Sequence, residues 1–251
     1  MRKNTDHFSA KAADYSKYRP GYPPALFDWL ARQAPGRGLA WDCGCGNGQA
    51  SLPLAERFER VLATDLSPQQ IAQAPAHPRI VYRAAPAEDS GLADACCDLV
   101  AVAQALHWFD FERFYAEVGR VLKPGGLLAA WTYQLLRAEP AVDAVLADFY
   151  RRVLGPHWPP ERRWVDLGYQ GMPFPFADMD APVFSIRLSW TLDELLGYLG
   201  TWSAVKRCRQ AEGNDPLPAL AERLAPAWGL PASVKEIVWP IAMRVGRKSE
   251  E

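Results

Sequence analysis

The sequence has no run of 18 apolar residues, so no membrane-spanning helix is expected. It has no excess of positive charge. Lys and Arg number 28 against 29 Asp and Glu, giving a net charge of −1 and a pI near 6.4. Nucleic-acid binders usually carry a basic excess, so neither nucleic acid nor membrane is expected as a partner. Cysteine is scarce. Cys43 and Cys45 are spaced C-x-C, Cys96 and Cys97 are adjacent, and Cys208 stands apart. Five is an odd number and no C-x-x-C pair occurs, which argues against a disulfide framework and against a zinc knuckle. Reduced thiols, structural burial and no metal are expected. Met1 to Asp6 is charged with no apolar stretch behind it, so no secretory signal is expected and the cytoplasm is the expected location.

Apolar residues make up 49% of the 251 and charged residues 23%. That is the composition of a globular protein long enough to bury a core unaided. Proline is abundant, 22 residues, about 9% against a usual ~5%. Its excess before residue 36 and after 139 predicts long ordered loops. Residues 1–24 are polar, aromatic and broken by Pro, and read as an arm. Residues 25–34 place Leu26, Trp29 and Leu30 at helical spacing.

A strict alternation then begins. Apolar runs at 39–43, 60–64, 79–83, 98–103 and 127–132 predict strands, separated by helices over 50–58, 67–73 and 110–122. Ser67 and Pro68 supply an N-cap and a first helical residue, and Lys123-Pro124-Gly125-Gly126 stops the third helix. This order predicts an α/β fold, a doubly wound and mostly parallel sheet with helices on both faces. Beyond residue 137 the spacing predicts a helix over 141–153, an aperiodic stretch over 154–182 and a strand over 184–190. Thr191 then caps a helix, and a further helix follows near 217–224. A last strand over 236–245 contains Pro240, which predicts a bulge or an edge. Residues 25–251 therefore read as a single domain with an insertion or cap at about 154–235.

The segment AWDCGCGNGQ follows the first strand, with Gly44, Gly46 and Gly48 at G-x-G-x-G. Glycines there permit positive φ and close approach of a ligand to the backbone. A P-loop needs Gly-Lys-Ser/Thr, and Gln49-Ala50 excludes it. A dinucleotide site wants a third glycine at position 49, which is Gln. S-adenosylmethionine (SAM) needs only a flat loop under its methionine and ribose. Asp65 ends the second strand, where an acid can accept from two ribose hydroxyls. This feature serves both NAD and SAM, so it indicates a nucleoside without choosing between them.

WDCGCGNGQ, VLATDLSPQQI, AAPAED, ALHWFD and RVLKPGGLLAAW together resemble class I SAM-dependent methyltransferases with a type 11 domain, over roughly residues 40–132. The flanks FSAKAADYSKYRPGYP and TWSAVKRCRQAEGNDPL resemble the trans-aconitate methyltransferase-like subgroup. The resemblance implies a seven-stranded Rossmann-like sheet, with SAM as methyl donor and S-adenosylhomocysteine as product. It implies that Asp42, Gly44, Cys45, Gly46, Gly48 and Gln49 hold the methionine part and that Asp65 holds the ribose. Leu66 would pack on the adenine, Ala87 and Glu88 would read its amino edge, and Gln104 and Ala105 would flank the methyl group. Cys43 stands where the family has a plain aliphatic residue, and Cys packs as a small hydrophobe.

Ligands of doubly wound sheets sit beyond the carboxyl ends of the strands. His107 and Trp108 follow the fourth strand there, His107 as a base or a wall and Trp108 as a wall near the sulfonium. Arg19, Arg187, Arg207 and Arg209 are the cations available to grip an acidic acceptor. The expected function is methyl transfer to a small molecule, a carboxylate in the first place, by a monomer or homodimer. The alternatives are a phenol, an amine or a macromolecule as acceptor, a non-catalytic SAM-binding protein, or a nicotinamide oxidoreductase, which Gln49 disfavours. The arm is expected to close over bound SAM and exclude water.

Overall fold

Five parallel strands, joined by helical or loop crossovers, build the centre of the molecule. The computed structural model describes residues 20–250. In chain order, α1 (Pro24–Gln33) precedes β1 (Leu39–Cys43), α2 (Ser51–Ala55), β2 (Arg60–Asp65), α3 (Pro68–Ile71), β3 (Ile80–Ala84) and β4 (Cys97–Ala103). A 3-10 turn (Leu106–Trp108), α4 (Phe111–Val121) and β5 (Leu122–Tyr133) follow. The rest comprises α5 (Pro140–Asp148), α6 (Arg162–Asp166), β6 (Ala177–Asp178), β7 (Phe184–Trp190), α7 (Leu192–Gly200), α8 (Ser203–Glu212), α9 (Leu217–Trp228) and β8 (Lys235–Arg247). The sheet order is β3-β2-β1-β4-β5-β8-β6, with β7 also paired to β8. β1 to β5 are parallel, and β6, β7 and β8 pair antiparallel.

Side chains alternate across a strand, and here the alternation feeds two cores. Ala40, Leu99, Ala101, Leu127, Ala129 and Trp131 pack on one face with α1, α2, α5, α7, α8 and α9. Trp41, Val100, Val102, Leu128 and Ala130 pack on the other with α4 and α6. Both faces are covered, which is why the central strands read as continuous apolar runs. At the amino end of the sheet, buried Asp98 accepts from the Gly38 and Leu39 amides and pairs with Lys123 at 2.7 Å, tying β4 to the turn before β1.

The expected mostly parallel α/β sheet is present, with local differences. The two-residue β6 adds an eighth strand to the expected seven. It is pinned to β8 by a Met179 amide bond to Val245 and by the Arg244–Asp178 ion pair. The Lys-Pro-Gly-Gly segment does not precede β5 but belongs to it. Gly125 takes φ +71°, and Gly125 and Gly126 exchange backbone bonds with Lys248, so the chain end supplies the missing partner. Pro240 is not at an edge. It pairs with Ser185 of β7, and its carbonyl accepts from the Gln134 amide just beyond β5, so β8 is covered on both sides there. The helix expected over 141–153 stops at Asp148 and continues as a π-helical turn, Phe149–Val153.

Candidate active site at the carboxyl ends of β1, β2 and β4

The glycine loop is held by backbone. The Gly44 and Cys45 amides both donate to the Thr64 carbonyl, at 2.8 and 2.9 Å, and the Gly46 amide donates to Asp65 Oδ2 at 2.8 Å. The other oxygen of Asp65 accepts from the Ser67 amide at 2.8 Å, which fixes the start of α3. Gly44, Gly46 and Gly48 take φ of +71°, +55° and +85°. A Cβ at Gly44 would lie 2.5 Å from Cβ of Ala105, so this glycine lets the end of β4 close onto the loop. A Cβ at Gly46 would meet only Gln70, at 3.9 Å, so packing does not demand that glycine. Its positive φ and the open space above it form a cradle that a side chain would fill, which suits a ligand lying flat on the loop. Leu66 beside it is 55% exposed, an apolar surface for a purine to cover.

Asp42 is fully buried below the loop. Its Oδ2 accepts from Ser51 Oγ at 2.5 Å, while Oδ1 has no partner among the described residues. Burial pushes its carboxyl up to about 7 against the Ser51 bond, with the nearby Asp65 charge adding to the rise. Burial likewise raises the Cys43 and Cys45 thiols. They are therefore neutral core groups rather than thiolates. Sequence reasoning missed Tyr82 on β3. Its hydroxyl covers the Gly48 position and is buried without a partner among the described residues.

Gln104 ends β4 in the left-handed region, φ +60°, unusual for a residue with a Cβ. Three bonds hold it there. Its amide donates to Trp131 O at 2.9 Å, its Nε2 donates to Tyr133 O at 3.3 Å, and its Oε1 accepts from Thr132 Oγ1. Backbone strain of this kind gathers at functional sites. Ala87 is buried and Ala105 nearly so, and Glu88 Oε1 accepts from the Asp110 amide at 3.0 Å, joining the turn after β3 to the start of α4.

His107 sits in the turn after β4 and is 8% exposed. Its Nδ1 shares a hydrogen bond of 3.2 Å with the Tyr169 hydroxyl, and its ring lies 4.8 Å from that of Trp108. Burial, with the Arg162 charge as second cause, pushes His107 down to about 3. It is a neutral imidazole at physiological pH. Tyr150, Trp158, Trp202 and Tyr198 form a continuous aromatic wall with ring separations of 4.9 to 5.9 Å.

Of the expected cations, Arg187 is tied to Glu236 at 2.8 Å and Arg209 to Asp215 at 2.7 Å. Arg207 is half-buried. Arg19 and most of the arm lie outside the described residues. Among the described residues one His/Cys/Glu group, His157, Cys208 and Glu212, has ligand atoms within 4.8 Å of one another, and it includes none of the expected donor-site residues. Among the described residues no helix is long and apolar enough to cross a membrane.

Residues 41–130 match the profile of a methyltransferase domain. A solved structure of a candidate type II methyltransferase from Anaeromyxobacter dehalogenans is 52% identical. The likeness covers 93% of this chain and 100% of that one, with a TM-score of 0.88. The chain belongs to the SAM-dependent methyltransferases with a type 11 domain. A candidate methyltransferase of Dictyostelium discoideum is 30% identical over 98% of this chain and 96% of its own. An uncharacterised methyltransferase of Mycobacterium tuberculosis is 41% identical, but over only 48% of this chain and 49% of its own. The strong local likeness to that last methyltransferase thus spans about half of either chain.

Proposed function

We propose that this methyltransferase transfers the methyl group of SAM to the carboxylate of a small-molecule acceptor. When bound, SAM supplies a methyl carbon already activated by a positively charged sulfur. The loop of residues 42–48 would hold its methionine part, Asp65 its ribose, Leu66, Ala87 and Glu88 its adenine, and Gln104 and Ala105 the space around the sulfur. The chain's own work is then alignment and exclusion of water.

The observation that carries the choice of acceptor is the state of His107. It is buried, its Nδ1 is occupied by Tyr169, and it is held neutral with its pKa depressed to about 3. So weak a base is mismatched to the proton of a phenol or an ammonium. Burial also raises the Tyr150, Tyr169 and Tyr198 hydroxyls, so these supply no base either. A carboxylate ionises near pH 4 and has no proton to lose. The resemblance of the flanking segments to the trans-aconitate methyltransferase-like subgroup points the same way. The test is incubation of the pure protein with SAM and a panel of carboxylic acids, phenols and amines, read by mass spectrometry. Methyl esters are expected, and methylation confined to phenols or amines would overturn the reading.

A further inference from the structure

The segment PPERRWVD gives no period in the sequence, yet it folds into α6 and places Arg162 at its first position. Helix α6 belongs to the core face that also buries the turn carrying His107, and Tyr169, just beyond α6, holds the His107 ring. The Arg162 side chain is 23% exposed. Its guanidinium carbon lies 4.6 Å from the ring centre of Trp158 and 5.5 Å from that of Tyr150. Nε donates to the Tyr150 hydroxyl at 2.7 Å and stands 3.6 Å from Asp166 Oδ1, and Asp166 in turn accepts from Tyr150.

One edge of the guanidinium is therefore fixed. Its two Nη atoms make no hydrogen bond among the described residues. A guanidinium has five N–H donors in a rigid fork, and the Nη groups are not among the buried unpaired atoms of the described residues, so they face solvent and are open to a ligand. Helix α6 touches the turn after β4 that carries His107, and the Arg162 charge contributes to the downward shift at His107. Arg187 and Arg209, singled out in the sequence, are instead tied to Glu236 and Asp215.

We propose that Arg162 is the anchor of the methyl acceptor. Its free Nη edge takes an acceptor carboxylate in a bidentate bond, while Trp158 and Tyr150 hold the guanidinium plane and Asp166 holds Tyr150. The proposal rests on the carboxylate reading above and adds the residue that determines it. The Tyr150 hydroxyl occupies the Nε side, so the carboxylate approaches end-on. Arg forks match a carboxylate in two parallel bonds where Lys offers a single point charge.

The test uses Arg162→Met, which keeps length and ring contact, and Arg162→Lys, which keeps the charge and loses the fork. Acceptor KM and kcat are measured on a carboxylic acid methylated by the unsubstituted protein. Acceptor affinity is measured by calorimetry with S-adenosylhomocysteine bound, and SAM affinity separately. In Arg162→Met, acceptor KM and Kd should rise about tenfold to a hundredfold. kcat should fall less than KM rises, and SAM affinity should stay within about twofold. Arg162→Lys should recover part of the loss. Acceptor affinity within twofold of the unsubstituted protein in Arg162→Met would overturn the anchor and leave the carboxylate reading standing. An unsubstituted protein that methylates phenols or amines and no carboxylic acid would overturn both.

Discussion

The glycine loop and the aromatic wall are held by different kinds of bond. Gly44, Cys45 and Gly46 are fixed by amides that reach the end of the neighbouring strand, with the Asp65 side chain closing the loop. Tyr150, Trp158, Arg162 and Trp202 come from four separate segments and are fixed by rings, one guanidinium and a phenol. Backbone-held parts tolerate little change, because a glycine φ or a buried carboxylate has no substitute. Side-chain walls can be re-cut residue by residue, and this is the part of the molecule where acceptor choice is expected to reside.

The largest expected effect is at Asp42. Its native pKa is raised from 3.8 to about 7, so between those values the folded state binds more protons than the unfolded one. Stability is thus highest below pH 4 on this account and falls as pH rises to 7. At 1.36 kcal/mol per unit the loss is at most roughly 4 kcal/mol. Thermal melts of Asp42→Asn, compared with the unsubstituted protein from pH 4 to 8, should lack this fall. Gly44→Ala comes next. Its φ of +71° and the 2.5 Å approach to Ala105 should cost about 1–3 kcal/mol of stability and lower SAM affinity at least tenfold by calorimetry. Asp65→Ala should weaken SAM binding by about 1–3 kcal/mol, and unchanged affinity would remove it from the site. All three act on the donor side. If any of them changed acceptor KM while leaving SAM affinity intact, the division between loop and wall would fail.

The smallest effect on rate is expected at His107. His107→Ala deprives the buried Tyr169 hydroxyl of a partner, so a melting shift equivalent to about 1–3 kcal/mol is expected. On a carboxylate acceptor, kcat should change far less than in Arg162→Met. A loss in kcat exceeding that of Arg162→Met would place chemistry at His107 and contradict the comparison.

The same division explains what the sequence could tell. G-x-G-x-G, the acid at Asp65 and the caps Ser67 and Thr191 are local signals, and each caps or turns where its spacing says. Gly44 needs its φ whatever surrounds it. Lys123 to Gly126 also looked like a local signal, but a chain end more than a hundred residues away completes its ladder and turns a stop into a strand. Pro240 misled for the same reason, since the strands that flank β8 on both sides come from distant parts of the sequence. Arg162 left no trace in the pattern. Its meaning comes from a π-helical turn that presents Tyr150 and from a proline-flanked tryptophan at 158. The one signal available was an arginine pair inside an aromatic, proline-rich stretch of no period. Arg187 and Arg209 stood in equally suggestive stretches, and each is tied to a surface carboxylate.

The central claim is that the acceptor arrives ionised and that no side chain removes a proton during transfer. It is tested most directly by a pH–rate profile of methyl transfer between pH 5 and 9, at saturating SAM, for the unsubstituted protein and His107→Ala. With His107 neutral above about pH 3, both proteins should give profiles of the same shape. An ascending limb near pH 6.5 that is present in the unsubstituted protein and lost in His107→Ala would show a titrating base and contradict the account.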